Sequence, residues 1–187
     1  TRSKIRSAYA SLGALNLEVA PESPVAPLME IGLHLKLEDR PSALQSYRNN
    51  QQVFDAHRDE LPLEIITFAA QAEIDEGTIS SQARAETILR SWIITHGEDE
   101  KIPASNKAAV QLLLARSYQA SQRFDVARAE FTTVVNLFPQ SNESVEATFG
   151  IGETFLDQKI YDEANAIFTD LASSPIPRIR VRAAFLR

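Results

Sequence analysis

The chain has 187 residues, 44% of them hydrophobic, a net charge of −6 and no cysteine. That is enough apolar material for a sizeable core, and the missing thiols exclude a disulfide framework, a thiolate zinc site and a cysteine nucleophile. No run approaches the roughly 18 apolar residues of a membrane span, which argues against direct membrane insertion.

The negative charge is concentrated in residues 51–100, which carry three basic and eleven acidic side chains. An acidic surface repels phosphate backbones and argues against nucleic acid as the main ligand.

In chain order, residues 1–23 read as an N-terminal helix, about 2–15, and a proline-rich linker that belongs to the extended stretch EVAPESPVAP, 18–27. The opening TRSKIRSAYASLG lacks the apolar core of a signal peptide and has no initiator Met. We expect a fragment of a longer protein. SPVAPLMEIGLHLKL predicts a helix to about 37, and Asp39 with Pro41 supplies a cap and a first-turn proline for a second helix to about 58. These form a hairpin over 24–58.

PLEIITFAAQAEID predicts the next helix, closed by Gly77 where a left-handed residue is needed. Its partner, capped by Ser80 or Ser81, runs through Trp92 to His96 and ends at Gly97, completing a hairpin over 61–96. GEDEKIP, 97–103, is the most charged connector, either an internal hinge or a solvated loop.

After Pro103 the periodicity sharpens. Ala108, Leu112, Ala115 and Gln119 share one face of a helix over 104–120, and Val110, Leu114 and Tyr118 an adjoining one. A helix over about 124–137 carries Phe124, Ala127, Phe131, Val134, Val135 and Phe138, ended by Pro139. SNES caps another at about 143–157, and DEAN opens one at about 161–172. The turns SQR and DQK are too short for anything but antiparallel hairpins. The final PRIRVRAAFLR, 177–187, reads as one more helix, with arginines scattered around its axis rather than gathered on a phosphate. The β-branched runs IITF and TVV sit inside longer 3.6-residue patterns, so nothing favours a sheet.

Two segments repeat. Leu114, Ala115, Tyr118, Phe124, Ala127 and Phe131 recur as Ile151, Gly152, Phe155, Tyr161, Ala164 and Phe168, each 37 residues on. This pattern resembles the tetratricopeptide repeat, whose W-x2-L-G-x2-Y, A-x3-F and closing P are carried by spacing. Pro139 closes the first unit and Pro175 the second, while the Trp slot is polar in both, Gln111 and Thr148. Small residues at 115, 127, 152 and 164 let helices approach, and aromatics fill the gaps between hairpins.

The resemblance implies an all-α, right-handed solenoid of antiparallel helix hairpins: degenerate units at 24–58 and 61–96, better ones at 104–141 and 142–175, the N-terminal helix, and at 177–187 the first helix of a truncated further repeat. The proline-serine connector after Phe138 is similar to repeats of bacterial cell-envelope proteins, such as the coordinator of the Tol-Pal system and the outer-membrane assembly lipoproteins. A bacterial envelope or periplasmic setting is therefore expected ahead of the cytoplasm.

No catalytic residue, cofactor site or metal site is expected. His34, His57 and His96 stand one to a helix, and the two-residue spacing in DAHRDE, 55–60, does not converge on one face. GIGETF, 150–155, approaches a dinucleotide fingerprint but lies inside a predicted helix. Asn142-Glu143-Ser144 matches a glycosylation acceptor, though helix capping explains it better.

The resemblance places ligands on the first helices of the hairpins, along a concave groove. Carried onto this sequence, the partner-binding residues are Leu112, Arg116, Gln119, Phe149, Glu153 and Leu156. Leu112, Phe149 and Leu156 are then apolar where solvent would be, or are covered by a neighbouring helix. The basic clamp by which some relatives hold a chaperone's terminal carboxylate is not assembled, since Leu112, Arg116 and Gly150 stand in its place. The function this implies is a non-catalytic scaffold for another protein or peptide. Two rivals are a structural module packing on other domains or on copies of itself, and a regulatory domain of an enzyme whose chemistry lies elsewhere.

Overall fold

The structure, a computed structural model, describes residues 25–187; the expected N-terminal helix and residues 18–24 of the proline-rich stretch lie outside the described residues. Every regular element among them is helical: α1 Val25–Lys36, α2 Arg40–Asn49, α3 Gln51–Ala56, a 3-10 turn Arg58–Glu60, α4 Leu63–Glu76, α5 Ile79–His96, α6 Ala104–Ala120, α7 Phe124–Leu137, α8 Asn142–Asp157, α9 Tyr161–Ala172 and α10 Pro177–Leu186. The all-α expectation holds. The chain divides into two compact units, one ending at Ala72 and one running from Glu73 to Arg187. The division does not fall at the connector 97–103, because the helices flanking it, α5 and α6, pack on one another.

In the first unit α1 packs on α2. The helix begins at Val25 rather than after Pro27, which puts Pro27 in the first turn, where its missing N–H leaves no bond unmade. Ile31 and Ala43 are fully buried, and the Tyr47 ring lies 5.4 Å from Phe54 and edge-on to Phe68 at 6.4 Å. Asp39 caps α2 by accepting the Ser42 N–H at 3.2 Å. Hydrogen bonding from Ser42, its side chain first and then this backbone N–H, holds the Asp39 carboxyl below its ordinary range.

The helix expected to run to 58 stops instead at Asn50, whose backbone leaves the helical region at φ −116° and ψ 19°. Its side-chain Nδ2 donates to the Ser46 carbonyl at 2.8 Å, a local bond that competes with helix continuation. The chain then restarts as α3.

In the second unit each helix from α5 to α10 packs on the next, and α6 also packs on α8. The N-cap of α5 is Thr78, not Ser80 or Ser81: Gly77 turns the chain at φ +69°, so the extended residue that a cap requires follows immediately. Thr78 Oγ1 accepts the Ser81 N–H at 3.1 Å. Ser141 caps α8 in the same way, accepting from Ser144 N–H at 3.0 Å.

One turn recurs in three hairpins. Glu38, Gln122 and Lys159 are left-handed, with φ of 61°, 58° and 61°. In each, the following N–H reaches the carbonyl five residues back at 2.9 Å: Asp39 to His34, Arg123 to Tyr118, Ile160 to Phe155. These bonds satisfy carbonyls that a helix end would otherwise leave open. The repetition extends to the weakest hairpin, where side-chain identities give least support.

The core of the second unit is set by close approach. Phe131 and Phe168 are fully buried, and a Cβ on Gly150 would come within 2.5 Å of the Phe131 ring, one on Gly152 within 2.7 Å of the Phe168 ring. The far end of each ring, its Cζ and Cε atoms, therefore meets the backbone of α8, one from α7 and one from α9. Ala115, Ala127, Ala147 and Ala164, all fully buried, extend the same close contact.

Gly150→Ala should therefore destabilise the protein despite alanine's higher helix propensity, by about 1–3 kcal/mol, because a ring with no free space cannot move aside. Thermal unfolding followed by circular dichroism checks this; an unchanged or raised midpoint would show that the contact gives way.

Candidate partner-binding face

Helices α6, α8 and α10 present polar side chains that meet across the gaps between them. Glu146 of α8 is the hub: Arg116 of α6 approaches it at 3.4 Å and Arg182 of α10 donates to it at 2.8 Å. Arg182 also donates to Glu153 at 3.0 Å. Burial alone would lower the Arg182 pKa, but its bonds to Glu146 and Glu153 raise it. Gln119 adds a second rung, donating to Asp157 at 3.1 Å. Three helices, α6, α8 and α10, are thus joined into one charged surface.

The six residues named from sequence separate by depth. Arg116, Gln119 and Glu153 belong to these rungs. Leu112 is buried, and Leu156 is half-buried against the α8–α10 core. Phe149 is 1% exposed, packed with Ile179 and Ala183 of α10 and with Phe168, and the Arg182 guanidinium lies 4.0 Å over its ring. Of the two alternatives for Phe149, exposed anchor or covered residue, α10 enforces the second. Phe149 is therefore core, and the charged residues of the rungs lie at the surface above it.

A second polar cluster, not anticipated from sequence, joins α5, α6 and the start of α7. The buried Tyr118 donates to Glu86 at 2.7 Å and accepts from Arg90 at 2.8 and 2.6 Å. Arg123 donates to Glu86 at 2.7 Å and lies 4.6 Å over the Tyr118 ring. The i, i+4 spacing of Glu86 and Arg90 on α5 is the one local signal in the sequence that could have pointed to it. Tyr118 was read only as a gap-filling aromatic. Beside this cluster is a pocket of about 230 Å³ lined by Ile79, Gln82, Glu86, Tyr118 and Arg123 among others.

For Glu86, burial raises the pKa, but the hydrogen bonds from Tyr118, Arg123 and Arg90 and the charge of Arg123 outweigh it and hold the carboxyl below its ordinary value. The ionised form therefore contributes stability above the unfolded pKa, and that contribution is lost as pH falls through the lower folded pKa.

Among the described residues, no group of three or more His, Asp or Glu could hold a metal ion. In DAHRDE, His57 lies 3.7 Å from Glu60. No described helix is long and apolar enough to cross a membrane. Residues 109–141, which span most of α6, all of α7 and the turn after it, match the family model for the tetratricopeptide repeat. No curated protein matches the chain.

Phe149→Ala should cost about 3–5 kcal/mol as a core truncation, whereas Arg116→Ala should cost about 1 kcal/mol or less as the loss of an exposed ion pair. Chemical denaturation of both variants checks the separation; equal effects would overturn the assignment of Phe149 to the core. Glu86→Gln should lower stability at neutral pH by an amount that shrinks once pH falls below about 4. Urea midpoints measured from pH 7 down to about pH 3 test the sign.

Proposed function

We propose that the chain is a non-catalytic protein-interaction scaffold that holds a peptide or partner helix along the face formed by α6, α8 and α10. The observation that carries this is the set of rungs, Arg116–Glu146–Arg182–Glu153 and Gln119–Asp157, which gives three helices one shared polar surface. The tetratricopeptide-repeat match at 109–141 supports an interaction module, since repeats of this family mediate protein–protein contacts.

A stacked array is a preformed surface, so a docking segment loses conformational entropy while the scaffold loses little. The rungs are partly exposed ion pairs, each worth at most about 1 kcal/mol. A charged partner can replace one of them at small cost, which makes the face exchangeable without unfolding it. Leu112 and Phe149 act from beneath by holding the helices that carry the charges. The connector's similarity to envelope repeats directs the search for a partner to bacterial cell envelopes.

The test is capture of a partner from such cells, followed by calorimetry of the purified partner against wild type and the double variant Arg116→Glu, Gln119→Ala. The variant should fold as wild type does by circular dichroism and bind at least about tenfold more weakly. Undiminished affinity would remove the charged face from the recognition surface.

A further inference from the structure

The pocket beside the Tyr118 cluster shares no residue with the rungs of the proposed binding face. It holds about 230 Å³ between α5, α6 and the start of α7, with Ile79, Ala83, Glu86, Tyr118 and Arg123 among its lining residues. A cavity of about 150 Å³ is enough to take a benzene ring.

The next junction along the array is built on the same plan and is closed. Ala85 and Leu89 are fully buried in α5 as Ala127 and Phe131 are in α7, which sets Arg128 in the position of Glu86. Thr154, Phe155 and Gln158 at the end of α8 repeat Ser117, Tyr118 and Ser121 of the pocket, each 37 residues on. Arg128 crosses that junction: its guanidinium lies 4.4 Å over the Phe155 ring and donates to Thr154 at 3.5 Å and to Gln158. Glu86 is shorter, and its carboxylate is held by the Tyr118 hydroxyl and by Arg123. The corresponding space stays open, so what fills it has to come from outside.

The chemistry of the walls suits a neutral ring. Glu86 pairs with Arg90 and Arg123, and Arg90 with Glu130, so two carboxylates and two guanidiniums cancel and leave no net charge to draw an ion. One face of the Arg123 guanidinium lies 4.6 Å over Tyr118, and the side chain is 49% exposed, which leaves the other face for a second ring. Ile79, 88% exposed, adds an apolar wall. Gln82 turns its amide nitrogen to the Gly77 and Ala120 carbonyls, each at 3.4 Å, which directs its oxygen away from them as an acceptor for a backbone N–H.

We propose that the pocket takes a phenylalanine or tyrosine side chain of a partner protein, the ring stacked on the Arg123 guanidinium and against Ile79, with a backbone N–H beside the ring bonded to Gln82. This anchor lies outside the face formed by α6, α8 and α10 and does not depend on that face being a binding surface.

Titration of the isotope-labelled full chain with the end-blocked peptide Gly-Gly-Phe-Gly-Gly, followed by amide chemical shifts, tests this. Saturable shifts at 79–86 and 117–123 are expected, with a Kd on the order of 1 mM for a single anchored side chain. The same peptide with leucine at its centre should bind at least about twofold more weakly. Ile79→Ser should weaken the phenylalanine peptide at least about threefold. Arg123→Lys, which keeps the charge beside Glu86 but removes the planar face, should abolish the preference for phenylalanine over leucine. Shifts that fail to saturate or lie elsewhere, equal binding of the two peptides, indifference to Ile79→Ser, or a preference that survives Arg123→Lys would each overturn the proposal. Free phenylalanine binding as tightly as the peptide would overturn it too, assigning the pocket to a small molecule. Circular dichroism of both variants checks that they fold, and the exposed position of Ile79 keeps one arm decisive should Arg123→Lys disturb the structure.

Discussion

Two phenylalanine rings meeting the backbone of one helix hold the second unit together. Phe131 and Phe168 approach α8 at Gly150 and Gly152, where no side chain intervenes. Dispersion and burial both require contact at van der Waals distance, and a missing Cβ brings backbone and ring into that range. Because one ring comes from α7 and the other from α9, α8 is fixed to the hairpin before it as well as to its own partner. A hairpin alone has no such second neighbour, so burial of its aromatic face depends on stacking.

The polar surface follows from that packing. Once α6 and α8 lie side by side, Arg116 and Glu146 fall within reach of one another, and α10 brings Arg182 to the same carboxylate. The guanidinium of Arg182 spans both layers, stacking on buried Phe149 while pairing with Glu146 and Glu153 at the surface. Cation–π contact and two carboxylates fix this side chain more firmly than a lone surface pair would. The charged face and the apolar layer beneath it are consequences of one helix arrangement.

How much of this was legible in the sequence varied along the chain. From 104 onward the small and aromatic residues recur at fixed spacing, and helix ends such as Ala120, Phe124 and Ala172 stand where periodicity placed them. Upstream, local hydrogen bonding overrode the pattern: Asn50 breaks a helix that the apolar spacing would have continued, and Thr78 takes a cap from two serines that looked equally suited. The site was less legible than the fold. Whether Phe149 is an anchor or core depends on where α10 lies, which no spacing within α8 reports. The Tyr118 cluster joins Tyr118 to side chains 28 and 32 residues away, a distance over which local spacing carries no signal. Gly150 was noted as a gap in a basic clamp, whereas its role is to receive a ring.

The central claim is that ring-on-glycine contact sets the spacing of successive hairpins. A double-mutant cycle at Gly150 and Phe131 tests it most directly, with stabilities from chemical denaturation of wild type, Gly150→Ala, Phe131→Leu and the double variant. If the ring is what the added methyl strikes, Gly150→Ala should cost at least about 1 kcal/mol less in the Phe131→Leu background than in wild type. Costs that add to within about 0.5 kcal/mol would contradict it.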